Sequence, residues 1–150
     1  MPESLYFEDY ELGWESSGGD YLVREDEIRE MGERFDPHSF HTDPEAARTS
    51  AFGGLVASGA HVFCIRQRLT HEHAAKPALV AGLGAEELDL PNPVRPGDRL
   101  TLELECVGRR ESRSRADRGL VRLRSTLVNQ RGEPVLTMIA KLLVWRRPAD

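Results

Sequence analysis

Polar and apolar residues alternate along four long runs in the second half of the chain. From Leu100 to Cys106, leucine or cysteine at every second position interleaves with threonine and glutamate. A period of two is typical of a β-strand with one buried face. Pro-, Gly-, Asn- and Asp-rich turns separate the runs, which predicts an antiparallel sheet. The predicted strands are Leu79 to Leu90, Arg99 to Val107, Leu120 to Asn129 and Val135 to Trp145.

The first half of the chain shows helical spacing instead. Between Arg24 and Phe35, apolar residues recur at intervals of three and four, at Ile28 and Met31 among them, which predicts an amphipathic helix. The stretch from Leu55 to Leu69 is apolar on nearly every side. We therefore expect it to form a long central helix that is buried on all sides.

The segment between these two predicted helices contains breaks. Residues 36–42 are expected to be irregular, because Pro37 lacks a backbone N–H and disfavours helical geometry at Asp36. Asp43 then begins a short helix that ends near Ser50, since aspartate caps helices and the proline that follows suits the first turn.

This order of elements favours an α+β fold in which one antiparallel β-sheet wraps around the long central α-helix. The 150 residues fit one domain, residues 1–150. An exposed edge strand of such a sheet can pair with another chain. We therefore expect a homodimer or a higher homo-oligomer, with a dimer forming a continuous sheet.

Composition narrows the functional classes. Hydrophobic residues make up 39% and charged residues 30% of the chain, as in ordinary globular proteins. No apolar run approaches the roughly 20 residues of a membrane helix, and the first residues lack a signal-peptide pattern, so we expect a cytoplasmic protein without a membrane partner. Cys64 and Cys106 lie far apart, which predicts two buried small hydrophobes and no structural zinc.

Arginine is concentrated late in a chain whose net charge is −5. A solvated hairpin with outward-facing arginines explains this run. The alternative is attraction of an anionic ligand, such as the phosphates of a coenzyme A ester. No aromatic residue is interleaved, so we predict no nucleic-acid partner. The arginines are Arg109, Arg110, Arg113, Arg115, Arg118, Arg122 and Arg124.

Asp36 and His41 are the candidate acid–base pair. A carboxylate and an imidazole that reach one water molecule can take a proton from it and deliver another to a substrate carbon. Spacing alone is weakly specific, since Asp36 is also explained as a turn or capping residue and His41 as a hydrogen-bonded residue beneath the loop. His38 and Gly54 are candidate supporting residues.

Gly59 is the candidate oxyanion-binding residue. It lies near the beginning of the predicted central helix, where free N–H groups and the helix dipole favour negative charge. Tight packing against the sheet explains this glycine equally well. Ser58 is a candidate for orienting the carboxylate or the water, although a small residue is also common at a helix start.

The remaining histidines are weaker candidates. His71 and His73 do not share a helical face, and the His-Glu-x-x-His spacing is absent, so we predict no metal site there. Both are expected to end the helix in solvent. His61 lies within the apolar stretch and is expected to be a hydrogen-bonded core residue.

The motif from Asp36 to His41, followed by the small-residue run from Phe52 to Gly59, resembles the MaoC-like dehydratases, relatives of the R-specific enoyl-CoA hydratases. Their usual string is Asp-x-Asn-Pro-x-His. Here His38 replaces the asparagine and Ser39 the proline, an Asp-Pro-x-x-Phe-His variant. The resemblance covers most of the chain and implies the hot-dog fold.

The resemblance also implies a lyase that reversibly hydrates a trans-2-enoyl-CoA in an (R)-specific manner. Coenzyme A would then be part of the substrate, and no further cofactor is expected. Asp36 and His41 would activate the water, and the Gly59 N–H would hold the thioester oxygen. The alternatives are a hot-dog acyl-CoA thioesterase and a non-catalytic subunit that binds acyl thioesters.

Overall fold

The computed structural model describes residues 3–150. Within that range the chain forms short strands, four helices and four long strands in the second half. The elements are β1 (Glu3–Leu5), a 3-10 turn (Phe7–Asp9), β2 (Glu15–Leu22), α1 (Glu25–Phe35), α2 (Ser39–Thr42), α3 (Pro44–Arg48), α4 (Gly59–Thr70), β3 (Ala75–Pro77), β4 (Leu79–Asp89), β5 (Arg99–Glu111), β6 (Arg118–Val128) and β7 (Pro134–Trp145).

Five strands form one antiparallel sheet in the order β2-β5-β6-β7-β4, while β1 and β3 form a separate parallel pair. The four predicted strands are confirmed. The second runs to Glu111 instead of Val107, because β5 and β6 stay paired almost to their hairpin turn, with Arg110 opposite Leu120. Strand β4 contains three irregularities in its pairing with β7 and lies at one edge of the sheet.

Helix α4 packs across one face of this sheet. Its side chains Val62, Ile65 and Leu69 are almost fully buried. They belong to one core cluster together with the sheet residues Leu100, Leu102, Leu127, Leu136, Met138 and Ala140. The predicted α+β architecture, an antiparallel sheet around a central helix, is therefore confirmed, and it is the hot-dog fold.

Two details of the predicted central helix are wrong. It begins at Gly59 instead of Leu55, because the N–H of Val56 donates to the carbonyl of Phe40 and that of Ala57 to Val94, at 3.0 and 2.9 Å. The helix is also not buried on all sides, since one of its faces is open to solvent. That face includes Ala60, Cys64, Gln67 and Arg68. Cys64 is thus exposed, contrary to expectation, whereas Cys106 is buried as predicted.

The segment expected to be irregular contains one helical turn. Helix α1 ends at Phe35 ahead of Pro37, and α2 begins at Ser39, so His41 lies on a short helix rather than on a loop. The predicted cap is confirmed, because the Asp43 carboxylate accepts the N–H groups of Glu45 and Ala46 and starts α3. Within residues 3–150 no helix is long and apolar enough to cross a membrane.

Candidate active site

The carboxylate of Asp36 lies between two imidazole rings. Its Oδ2 is 3.5 Å from Nε2 of His41, and its Oδ1 is 3.4 Å from Nε2 of His38. His41 is buried, whereas the side chain of His38 is 66% exposed. The structure therefore brings together three of the predicted site residues, with one ring protected from solvent and the other open to it.

The other nitrogen of His41 is held by the main chain. Nδ1 lies 2.7 Å from the carbonyl oxygen of Val56, which can only accept a hydrogen bond, so Nδ1 carries a proton. In the neutral ring the lone pair is then on Nε2, the nitrogen that faces Asp36. A carboxylate and an imidazole lone pair that face each other can both accept from one water molecule.

A buried glycine of α1 sets the position of His41. A Cβ atom added at Gly32 would lie 2.8 Å from both the Cβ and the carbonyl oxygen of His41. Helices α1 and α2 approach this closely only because residue 32 has no side chain. Sequence reasoning missed this residue. The available signal was a glycine inside a predicted amphipathic helix, where glycine is disfavoured unless packing requires it.

The beginning of α4 follows Val56 by three residues. Gly59 is the first residue of this helix, and the hydroxyl of Ser58 accepts the N–H of His61 at 3.2 Å, which makes Ser58 the N-cap. A first-turn N–H has no carbonyl partner within its helix, so the Gly59 N–H is suited to an oxyanion. Among the described residues the Ser58 hydroxyl forms its hydrogen bond with the helix backbone and not with the Asp36 carboxylate.

The surroundings of Gly59 are also crowded, as the alternative explanation of tight packing requires. An added Cβ would lie 2.8 Å from Cδ1 of Leu90, which follows β4. Both explanations of this glycine thus keep support, because a close neighbour requires a residue without a side chain and the helix start supplies the free donor. Leu90 is half exposed and forms one wall beside the helix start.

Gly54 belongs to the loop that precedes α4. Arg95 donates from Nη2 to the carbonyl of Phe52 at 2.6 Å, and its Nη1 lies 3.5 Å from where a Cβ of Gly54 would be. The centres of the Phe52 and Phe40 rings lie 5.3 Å apart. Gly54 is therefore part of a loop anchored by Arg95, and among the described residues it forms no hydrogen bond with Asp36 or His41.

His61, a buried polar residue of α4, connects this helix to α1. Nε2 of buried His61 lies 2.7 Å from Oε1 of Glu27, and the Tyr21 hydroxyl donates to the same oxygen at 2.5 Å. Burial acts to raise the pKa of the Glu27 carboxyl, but these two hydrogen bonds outweigh it and the pKa is lowered. His61 is a hydrogen-bonded core residue, as predicted.

His73 differs from the expectation that it ends the helix in solvent. The chain turns inward after exposed His71, and His73 is buried with its Nδ1 2.9 Å from the hydroxyl of Ser16. Burial lowers the pKa of this imidazole. The alternating histidines at positions 71 and 73 could not predict the burial of His73. The helix ends at Thr70, and His73 then packs against β2.

Several residues of the arginine-rich hairpin contact neighbouring side chains. Arg122 pairs with Glu86 at 2.6 Å, and Arg118 pairs with Asp117 while lying over the Trp145 ring. Arg109 lies over the ring of Phe7, 4.2 Å from its centre. These contacts favour the interpretation of a solvated hairpin over a site for an anionic ligand.

A cavity of about 470 Å³ lies between the second half of α4 and the sheet. Its apolar floor comes from the sheet, and its polar wall from α4 and the segment after it. The floor includes Leu104, Leu123, Met138, Ala140 and Leu142. A cavity of this size and apolar character suits the acyl part of a small-molecule ligand.

Comparison with known proteins places this geometry in a family. Residues 20–129, which include the Asp36–His41 pair and the start of α4, match the family described as "MaoC like domain". A UPF0336 protein of Streptomyces avermitilis is 32% identical over 133 residues, covering 82% of this chain and 84% of the relative.

Solved structures agree with that match. The crystal structure of a MaoC-like dehydratase from Rhodospirillum rubrum superposes with a TM-score of 0.90 and 41% identity, covering 97% of this chain and 100% of the other. The R-hydratase PhaJ1 from Pseudomonas aeruginosa shares the fold at 20% identity, with a TM-score of 0.74 and coverage of 98% and 93%. The chain therefore belongs to the MaoC-like dehydratase family.

Proposed function

We propose that this protein is a hydratase that adds water reversibly to a trans-2-enoyl-CoA, in the (R)-specific sense. The observation that carries the proposal is the buried His41, whose Nδ1 is bound to the Val56 carbonyl and whose Nε2 faces the Asp36 carboxylate at 3.5 Å. The name of the Rhodospirillum rubrum relative, MaoC-like dehydratase, supports the same class of reaction.

A water molecule between Asp36 and His41 is the proposed nucleophile. Its oxygen forms a bond to C3 of the enoyl chain while one of its protons passes to the pair. A proton from the pair is delivered to C2, so that the product gains one hydroxyl and one hydrogen. The two groups act as a coupled unit, and either can be the first to accept the proton.

The negative charge that develops during this step must be stabilised. As the C3–O bond forms, electron density moves through C2 onto the thioester oxygen. In the proposal the N–H of Gly59, at the positive end of α4, donates to that oxygen. Coenzyme A is thus part of the substrate, and no further cofactor takes part.

A homodimer is the proposed assembly. Strand β4 is an edge of the sheet, and its Leu83 and Leu88 are 51% and 49% exposed. Pairing β4 with its counterpart in a second copy would satisfy its open backbone groups and cover these leucines. Light scattering should then give about twice the chain mass, and Leu83→Lys should shift the protein toward the monomer.

The catalytic proposal is tested by following loss of the conjugated thioester with a panel of trans-2-enoyl-CoA esters. Asp36→Asn and His41→Ala should each lower kcat by about 100-fold or more, because each removes one member of the proton-transfer pair. Asp26→Asn is the matched control, since Asp26 is exposed on α1, where its carboxylate pairs with Arg24 and accepts the N–H of Glu27. Full activity in both site variants would contradict the mechanism.

The same assay separates the other two activities. Release of free thiol without formation of a 3-hydroxyacyl product would identify a thioesterase. Tight binding of acyl-CoA with no turnover of any ester would identify a binding subunit. The chirality of the 3-hydroxyacyl product, determined after hydrolysis on a chiral column, tests the (R) assignment.

A further inference from the structure

The cavity beside α4 contains a buried arginine. The side chain of Arg66 extends from α4 into the wall of this cavity, and the residue is only 6% exposed. Its Nε and Nη2 donate to the hydroxyl of Ser125 at 3.1 and 2.7 Å, and Nη1 donates to the side-chain oxygen of Gln67. The guanidinium is therefore fixed in place by two neutral groups.

No acidic side chain among residues 3–150 pairs with Arg66. A buried charge without a counterion costs several kcal/mol and is normally compensated. Burial disfavours the charged form of Arg66 and lowers its pKa to about 10. An uncompensated guanidinium that lines an open cavity is a binding group for an anion.

The rest of the cavity has the same sign of charge. Among the described residues its lining includes no aspartate or glutamate, and it does include the cations Lys76 and Lys141. Its remaining walls are largely apolar, with Tyr10 and Trp14 at one side. The chemistry of the cavity thus matches a ligand with an apolar body and one negatively charged end.

Arg66 lies on the same face of α4 as Gly59. Arg66 follows Gly59 by seven positions, which is close to two helical turns and a rise of about 10 Å. Phe63, which also lines the cavity, lies between them on this face. Gly59 itself lies outside the cavity lining, about one helical turn before Phe63. A chain whose thioester oxygen meets the Gly59 N–H therefore reaches the guanidinium by following this face past Phe63.

We propose, resting on the hydratase activity proposed above, that Arg66 binds a carboxylate at the far end of the substrate's acyl chain. The preferred substrates are then 2-enoyl thioesters of dicarboxylic acids, and Arg66 is the specificity-determining residue. Ser125 and Gln67 orient the guanidinium, and Lys76 and Lys141 attract the anion to the cavity.

The test compares two series of trans-2-enoyl-CoA esters of equal chain length, one ending in a carboxylate and the other in a methyl group. The wild-type protein should show a kcat/KM at least about tenfold higher for the carboxylated ester of best length. Arg66→Gln should lower that value by about 100-fold, because it removes a charge-assisted hydrogen-bonding group. It should change the methyl series by less than about threefold.

Two further variants keep the result interpretable. Arg68→Gln is the matched control, since Arg68 is an exposed arginine two residues away and lies outside the cavity lining. Arg66→Lys keeps the charge and should recover part of the preference for the carboxylated series if Arg66→Gln fails to fold. Binding of saturated carboxylated acyl-CoA by calorimetry gives a readout that does not depend on turnover.

The outcomes separate this assignment from the proposed activity. Hydration of the methyl series alone, unchanged by Arg66→Gln, would overturn the role of Arg66 and leave the hydratase in place. Calorimetric binding of carboxylated acyl-CoA that depends on Arg66, without hydration of any ester, would support the site and contradict the hydratase. Equal loss of both series together with weaker binding of free coenzyme A would mean that Arg66 holds a phosphate instead, which also overturns the assignment.

Discussion

The α-carbon of Gly32 faces the side chain of His41 so closely that a Cβ at position 32 would lie 2.8 Å from the Cβ of His41. The two residues belong to different helices, α1 and α2, and to opposite sides of the Pro37 break. The position of the imidazole therefore depends on a residue that has no side chain.

Gly32→Ala should lower the hydration rate by about tenfold or more and reduce the free energy of unfolding by about 1–3 kcal/mol, because α2 must move away from α1. Urea unfolding and the enoyl-CoA assay measure the two effects. Glu33→Ala, at an exposed neighbouring position of the same helix, should leave both unchanged. An unaltered rate in Gly32→Ala would show that the backbone here gives way without moving His41.

His38→Ala should have a much smaller effect than His41→Ala. His38 faces Asp36 from the exposed side, and exposed pairs of this kind contribute about 1 kcal/mol or less. We therefore expect kcat/KM to fall by no more than about fivefold. A loss as large as that of His41→Ala would mean that the exposed ring takes part in proton transfer.

Glu27→Gln should reduce stability at neutral pH and lose this effect in acid. The folded-state pKa of Glu27 lies below its usual value of 4.5, so its carboxylate stabilises the fold above that value and the contribution disappears as the pH falls through the lowered pKa. Because the side chain is 36% exposed, we expect only about 1 kcal/mol at pH 7.

Urea unfolding of the wild type and of Glu27→Gln between pH 7 and pH 3 measures this difference. The two curves of unfolding free energy should converge at the acidic end. A difference that stays constant over the whole range would show that Glu27 acts through packing and not through its charge.

Gly119→Ala should destabilise the protein by about 1–3 kcal/mol, since a Cβ there would lie 2.3 Å from the ring of buried Phe7. Gly18→Ala on β2 is the matched control, because its added Cβ would meet nothing closer than the His73 ring at 3.8 Å, an ordinary contact. Thermal unfolding should show a lower Tm for the first variant alone. Equal Tm values would mean that Phe7 can shift at no cost.

Local patterns in the sequence predicted much of the fold. The four alternating runs became strands, and Asp43 caps the helix expected there, since periodicity and capping depend on residues close in sequence. The start of α4 was misplaced because the backbone groups of Val56 and Ala57 bond to distant segments. No local pattern contains that information.

The residues of the site likewise divide into those that the sequence predicted and those that it did not. Asp36 and His41 are separated by only five positions, so their proximity was predictable. The structure places Oδ2 of Asp36 3.5 Å from Nε2 of His41. Gly32, Arg66 and His73 were not recognised as important. The importance of each of these residues comes from its contact with a strand or helix that is distant in the sequence. Local sequence patterns cannot predict such contacts.

The hydrogen bond between His41 and the Val56 carbonyl fixes the imidazole tautomer with an atom that every amino acid possesses. Substitution of the Val56 side chain leaves that acceptor in place, provided that the backbone keeps its position. A conventional alanine scan would therefore pass over position 56, although its carbonyl decides which nitrogen of His41 holds the proton. Replacing the peptide bond after Val56 by an ester weakens this carbonyl as an acceptor, and it also removes the Ala57 N–H that donates to Val94.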